Sequence, residues 1–121
     1  MDYFRTNVGR TKTEAPMAKI IWQKRAQKEL DIRLADAEEY GKKTVRRWME
    51  QIMSVEKQMA KHPESFTQEF LLGGKRRLYR RAIIMTNFKI IYYYTKSSDT
   101  VWIVDIWDMR MSPDRLMGRI K

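Results

Sequence analysis

The chain has 121 residues, 43% of them hydrophobic, with 25 lysines and arginines against 15 acidic residues for a formal charge of +10. That length holds one modest core, and that apolar content is too high for a disordered chain. The absence of cysteine and the lone His62 exclude a disulfide framework and a thiolate metal site and leave zinc too few ligands. The charge excess favours a polyanionic partner: nucleic acid, an anionic membrane surface or an acidic protein segment.

Residues 1–16 are polar, contain Gly9 and Pro16, and show no apolar period. They read as a tail, or as an extension from an upstream start codon, with residues 17–121 forming a single domain. They lack the apolar middle of a secretory signal, and no apolar run approaches the roughly 20 residues of a spanning helix, so a cytoplasmic protein without membrane contact is expected. Ala18–Trp22 is a short β-prone run. From Ala26 to Tyr40 the period becomes helical, with Ala26, Leu30, Leu34 and Ala37 on one side and Glu29, Arg33, Asp36 and Glu39 largely outside. Gly41 supplies a stop, and a second helix from about Lys43 to Lys61 carries a broad stripe of Val45, Trp48, Met49, Ile52, Met53, Val55 and Met59 before Pro63 ends it. Phe66–Lys75 reads as a connector with Gly73-Gly74 inside it. Three strand-like runs follow, Leu78–Met85, Lys89–Thr95 and Val101–Trp107, joined by turns at Thr86-Asn87 and Lys96–Asp99 and followed by a short helical tail after Ser112-Pro113. The expected fold is α+β: a two-helix hairpin packed on a small antiparallel sheet in the order β-α-α-β-β-β, with the other sheet face left to solvent or a partner.

No phosphate-binding glycine loop, nucleophile elbow or thiol nucleophile is present, and Asp105 with Asp108 offers too few oxygens for a metal pair; no cofactor is expected. What remains is a set of cations and aromatics on the sheet. Lys75, Arg76, Arg77 and Arg81, with Tyr92 and Tyr94, are candidates for binding nucleic acid, because guanidinium groups grip phosphate and rings stack on bases. Arg80 and Arg81 must face opposite sides of their strand, and periodicity does not decide which side is core. Nuclease chemistry without histidine pairs would need Arg80, Lys89 and Arg110 to stabilise the phosphorane, with Tyr93 handling protons. Such side chains serve packing and solubility more often than chemistry.

The segments IIWQKRAQKELDI and VRRWMEQIMSVEKQMAKHPE, then KIIYYYTKSSDTVWIVDIWDMRMSP with its arginine after the last strand, resemble the RelE/ParE toxins of type II toxin–antitoxin systems. The ending IWDMRMSPDRL is similar to a Bacteroidetes-like subgroup of plasmid stabilisation toxins, and the resemblance spans Lys19 to about Leu116. It implies the same β-α-α-β-β-β fold, a cognate antitoxin as partner, and one of two activities. RelE-like members cleave mRNA in the ribosomal A site; ParE-like members poison DNA gyrase and lack the nuclease residues. By this resemblance Lys89 and Arg110 stand at the basic positions of the nuclease and Arg80 roughly at a third, although the nucleases prefer arginine where Lys89 stands and Leu116 lies near their C-terminal tyrosine. The leading expectation is therefore a ribosome-dependent mRNA endonuclease, requiring Arg80, Lys89 and Arg110 to converge on the open face with a tyrosine among them. The alternatives are a gyrase inhibitor and a non-toxic basic nucleic-acid-binding module; a homodimer is compatible with each.

Overall fold

Apolar period switches from two to about 3.6 and back again along the chain, and the elements follow it. The computed structural model describes residues 17–121; residues 1–16, expected to form a tail, lie outside them. β1 (Lys19–Trp22) leads into α1 (Lys24–Glu38) and α2 (Lys42–Lys61). A 3-10 turn (Phe70–Leu72) precedes β2 (Tyr79–Ile84), β3 (Phe88–Thr95), β4 (Thr100–Asp108) and the short α3 (Pro113–Met117). The α+β class and the β-α-α-β-β-β order are those expected from the sequence, with boundaries shifted by a residue or two. Among the described residues, no helix is long and apolar enough to cross a membrane.

The hairpin turn depends on Gly41, whose φ of 107° lies where side chains are disfavoured. It reverses the chain so that α1 and α2 lie against the same face of the sheet. Their Ala26, Leu30, Ala37, Trp48, Ile52 and Met59 meet Ile84, Ile90, Tyr92, Val101, Ile103 and Ile106 in the main core. Each large side chain buried there contributes about 1.5–3 kcal/mol. The stripe on α2 is narrower than expected: Met49 and Met53 are 37% and 62% exposed, because they lie on the flank of the helix beyond the sheet.

The strand order is β1-β4-β3-β2. β2, β3 and β4 form the expected antiparallel meander. β1 joins it in parallel, with Lys19 opposite Thr100 and Trp22 opposite Ile103, so the sheet as a whole is mixed. A register shift between Ile91 and Tyr92 places an extra residue in β4. Before that bulge Val101 and Ile103 face the helices; after it Ile106 does. Val104 and Trp107 both fall on the other side.

That other side is not left open as expected. The 3-10 turn and α3 fold over it, and Leu72, Leu116 and Ile120 bury themselves against Tyr79, Ile91, Val104 and Trp107 in a second core. Alternation on β3 requires this cover, since Ile91 would otherwise expose an apolar side chain at the middle of the sheet.

Candidate nucleic-acid interface

The cations expected to share one site occupy three different environments. Arg80 faces the helices, where its guanidinium donates to the Phe66 carbonyl at 2.7 Å. Its cross-strand neighbour Tyr92 is fully buried and donates its hydroxyl to the Pro63 carbonyl, also at 2.7 Å. Together they hold the chain leaving α2 against the sheet. Burial pushes the Tyr92 hydroxyl far above its ordinary pKa despite the nearby Arg80, so neither group is placed for proton transfer to a ligand.

Lys89 lies on the opposite face and is 6% exposed. Its ammonium sits 2.5 Å from the carboxylate of Glu69, itself 1% exposed, and 5.4 Å from the Trp107 ring centre. Arg81 approaches the same carboxylate at 3.8 Å. Glu69 also accepts from the Leu71 backbone N–H at 3.0 Å, capping the 3-10 turn. The charge of Lys89 is thus balanced internally, and a phosphate could reach it only by displacing Glu69. Arg110 is exposed on the helix side, at the Phe88 end of the sheet, where it forms a two-pronged pair with Asp108 at 2.9 and 3.1 Å. That pair holds the Asp108 carboxyl below its ordinary pKa. The cleft beside Arg110, about 400 Å³, is lined by Arg33, Tyr40, Trp48 and Phe88 but also by Asp36 and Glu39. Arg80 pairs with Tyr92 and Arg110 follows the partner of Phe88, a separation of about 13 Å along the strand. Arg80, Lys89 and Arg110 therefore do not converge, because alternation and the Glu69 pair separate them.

The tyrosine run divides in the same way. Tyr94 packs at the rim of the main core and donates its hydroxyl to Asp99. Tyr93 lies on the second face and stays partly exposed. The register puts Tyr79, Tyr93 and Trp102 in one row across β2, β3 and β4. Tyr79 meets Tyr93 edge-on at 5.7 Å, and Tyr93 stacks with Trp102 at 6.2 Å and 19°. Arg77 covers Tyr93 with its guanidinium carbon 4.4 Å from the ring centre. Burial raises the Tyr79 hydroxyl, with Arg77 opposing.

Two grooves flank Tyr93. One, of about 270 Å³, carries Arg25, Arg77, Arg119 and Lys121 in its walls. The other, of about 540 Å³, carries Arg76, Arg77 and Lys96. Neither is lined by a carboxylate side chain. Lys75 sits half-buried in the loop before β2, next to Arg76 in sequence. At the floor, Arg119 bridges Asp105 at 3.2 Å and Glu29 at 2.9 Å, anchoring the end of the chain to β4 and α1. Asp105 is fully buried and receives Trp107 Nε1 at 3.0 Å. Desolvation lifts its carboxyl above the ordinary value although Arg119 pulls the other way.

Of the expected binding residues, Arg76 and Arg77 reach this surface and Tyr94 also lines the larger groove, whereas Arg81 turns toward Glu69 and Tyr92 is removed into the core. Arg25, Lys121 and Trp102 belong to the surface without having been expected there. Arg25 lies in the first turn of α1, three residues after β1, and the parallel pairing of β1 with β4 brings it into the groove beside Tyr93. No family model matches the chain, and no curated protein matches it.

Proposed function

We propose that the chain is the toxin of a type II toxin–antitoxin pair of the RelE/ParE type, a cytoplasmic protein that inhibits DNA gyrase as ParE-like members do, without nuclease action. The β-α-α-β-β-β order and the +10 charge support the toxin assignment, together with the sequence resemblance. The observation that favours inhibition over cleavage is the fate of the basic trio: Arg80 holds a backbone carbonyl, Lys89 is buried against Glu69, and Arg110 is paired with Asp108. A phosphorane needs positively charged donors preorganised around one point. These side chains surround no common point.

Inducible expression tests this with two separate readouts. Growth arrest relieved by co-expressing the neighbouring open reading frame, with inhibition of gyrase supercoiling and no new mRNA ends, is the expected result. Cleavage of translated mRNA that disappears on Arg110→Ala would restore the endonuclease reading. Expression without growth arrest would leave the basic module as the better account.

A further inference from the structure

The aromatic row and its flanking grooves form a surface that gyrase inhibition does not require. Cross-strand aromatic rows commonly serve only packing. Three features separate this one from ordinary packing. The row is not closed over: Tyr93 and Trp102 remain partly exposed while Tyr79 anchors its buried end. A guanidinium lies on Tyr93, and an arginine plane over a ring is itself a surface on which a base can stack. Four of the cations in the groove walls, Arg25, Arg76, Arg77 and Lys121, make no salt bridge among the described residues, and the exposed Lys96 has only a loose contact with Glu64 at 3.9 Å. By contrast Arg119, at the floor of the first groove, and Arg33 and Arg110, elsewhere on the molecule, are matched by carboxylates.

Charge alone would suit any polyanion. Planar groups spaced between unmatched cations suit a chain that alternates flat rings with phosphates, and they suit it unpaired, since duplex bases hide their faces. We propose that the second sheet face around Tyr93 binds single-stranded nucleic acid. A base stacks on the Arg77–Tyr93–Trp102 step, and the phosphates on either side lie in the grooves, one lined by Arg25 and Lys121 and the other by Arg76 and Lys96. The surface lies on the face opposite Arg80, and Lys89, which shares that face, is buried against Glu69, so a strand bound here meets no assembled trio. The site does not rest on the toxin assignment; growth arrest and strand binding are read separately, and either can fail alone.

The test is fluorescence anisotropy on the full chain with labelled twelve-nucleotide U and dT strands, a duplex of equal length, and an oligoglutamate peptide. Either single strand is expected to bind more tightly than the duplex and the peptide, with affinity falling steeply as salt rises. Tyr93→Ala is expected to weaken single-strand binding about tenfold while Tyr93→Phe retains it. Arg25→Ala, an exposed change at the start of α1 that leaves both cores untouched, is expected to weaken binding and reduce the salt slope by about one. Lys57→Ala, on the exposed side of α2, is expected to leave it unchanged. Full binding by a Tyr93→Ala protein that melts like the parent overturns the proposal. So does equal loss in Arg25→Ala and Lys57→Ala, or a preference for duplex or for the acidic peptide.

Discussion

At the residue scale, the same side-chain chemistry has opposite meanings according to its partner. Lys89 and Arg110 are both cations next to a carboxylate, but Lys89 and Glu69 are buried whereas Arg110 is exposed. Removing one half of a buried pair strands the other charge, so Lys89→Met is expected to cost about 3 kcal/mol in urea unfolding, and adding Glu69→Gln to recover much of it. Arg110→Ala, by contrast, is expected to leave the urea unfolding midpoint essentially unchanged, since its pair with Asp108 is screened by solvent. Asp105 supplies a pH signature. Its folded-state carboxyl is raised above the ordinary 3.8, so the protonated form favours folding. Its contribution is complete below that value and is lost as pH rises through the raised folded value. Thermal melts should therefore show the parent gaining stability relative to Asp105→Asn as pH is lowered from 7 toward 4. A difference that stays flat would assign the whole effect to hydrogen bonding. Asp108 acts in the other direction: its pair with Arg110 is lost only in more acidic solution, as pH falls through its lowered folded value.

At the element scale, the turn between α1 and α2 is the most exacting position, because Gly41 holds a left-handed φ with open space around it. Gly41→Ala meets no steric neighbour but is strained by its own backbone, and a loss of about 1 kcal/mol is expected in chemical denaturation. Most elements were legible from periodicity and punctuation: the helical stripes, Gly41, Pro63 and the two hairpin turns each mark a local choice that the fold obeys. The cover on the second face was not, because Leu72, Leu116 and Ile120 come from short segments without a sustained period. The candidate site was less legible for a related reason. Alternation says that Arg80 and Arg81 part company but not which one faces the core, and nothing local marks Glu69, in a connector, as the partner of Lys89. In Tyr92-Tyr93-Tyr94 one ring is fully buried, one packs at the rim of the core and one looks outward, and the β4 bulge that shifts the facing pattern has no sequence mark of its own.

At the scale of the whole molecule, the charge sets how partners are met. A +10 chain attracts an acidic protein at long range, and that attraction weakens as ions screen it. The product of the neighbouring open reading frame is expected to co-purify with this chain and to associate measurably more slowly at 0.5 M than at 0.1 M salt in surface plasmon resonance; salt-independent association would exclude steering by the basic surface. The pairing of β1 with β4 has a temporal consequence. β1 finds its neighbour only when Thr100–Asp108 has emerged, and the segment after β4, through Leu116 and Ile120, closes the second core. The helical hairpin can form early, but it has no finished sheet to rest on. A partly synthesised chain thus presents neither the completed Tyr93 row, which awaits Trp102, nor the Lys121 wall beside it. The surface around Tyr93 is therefore assembled nearly at once, when β4 and the segment after it join the sheet, rather than strand by strand.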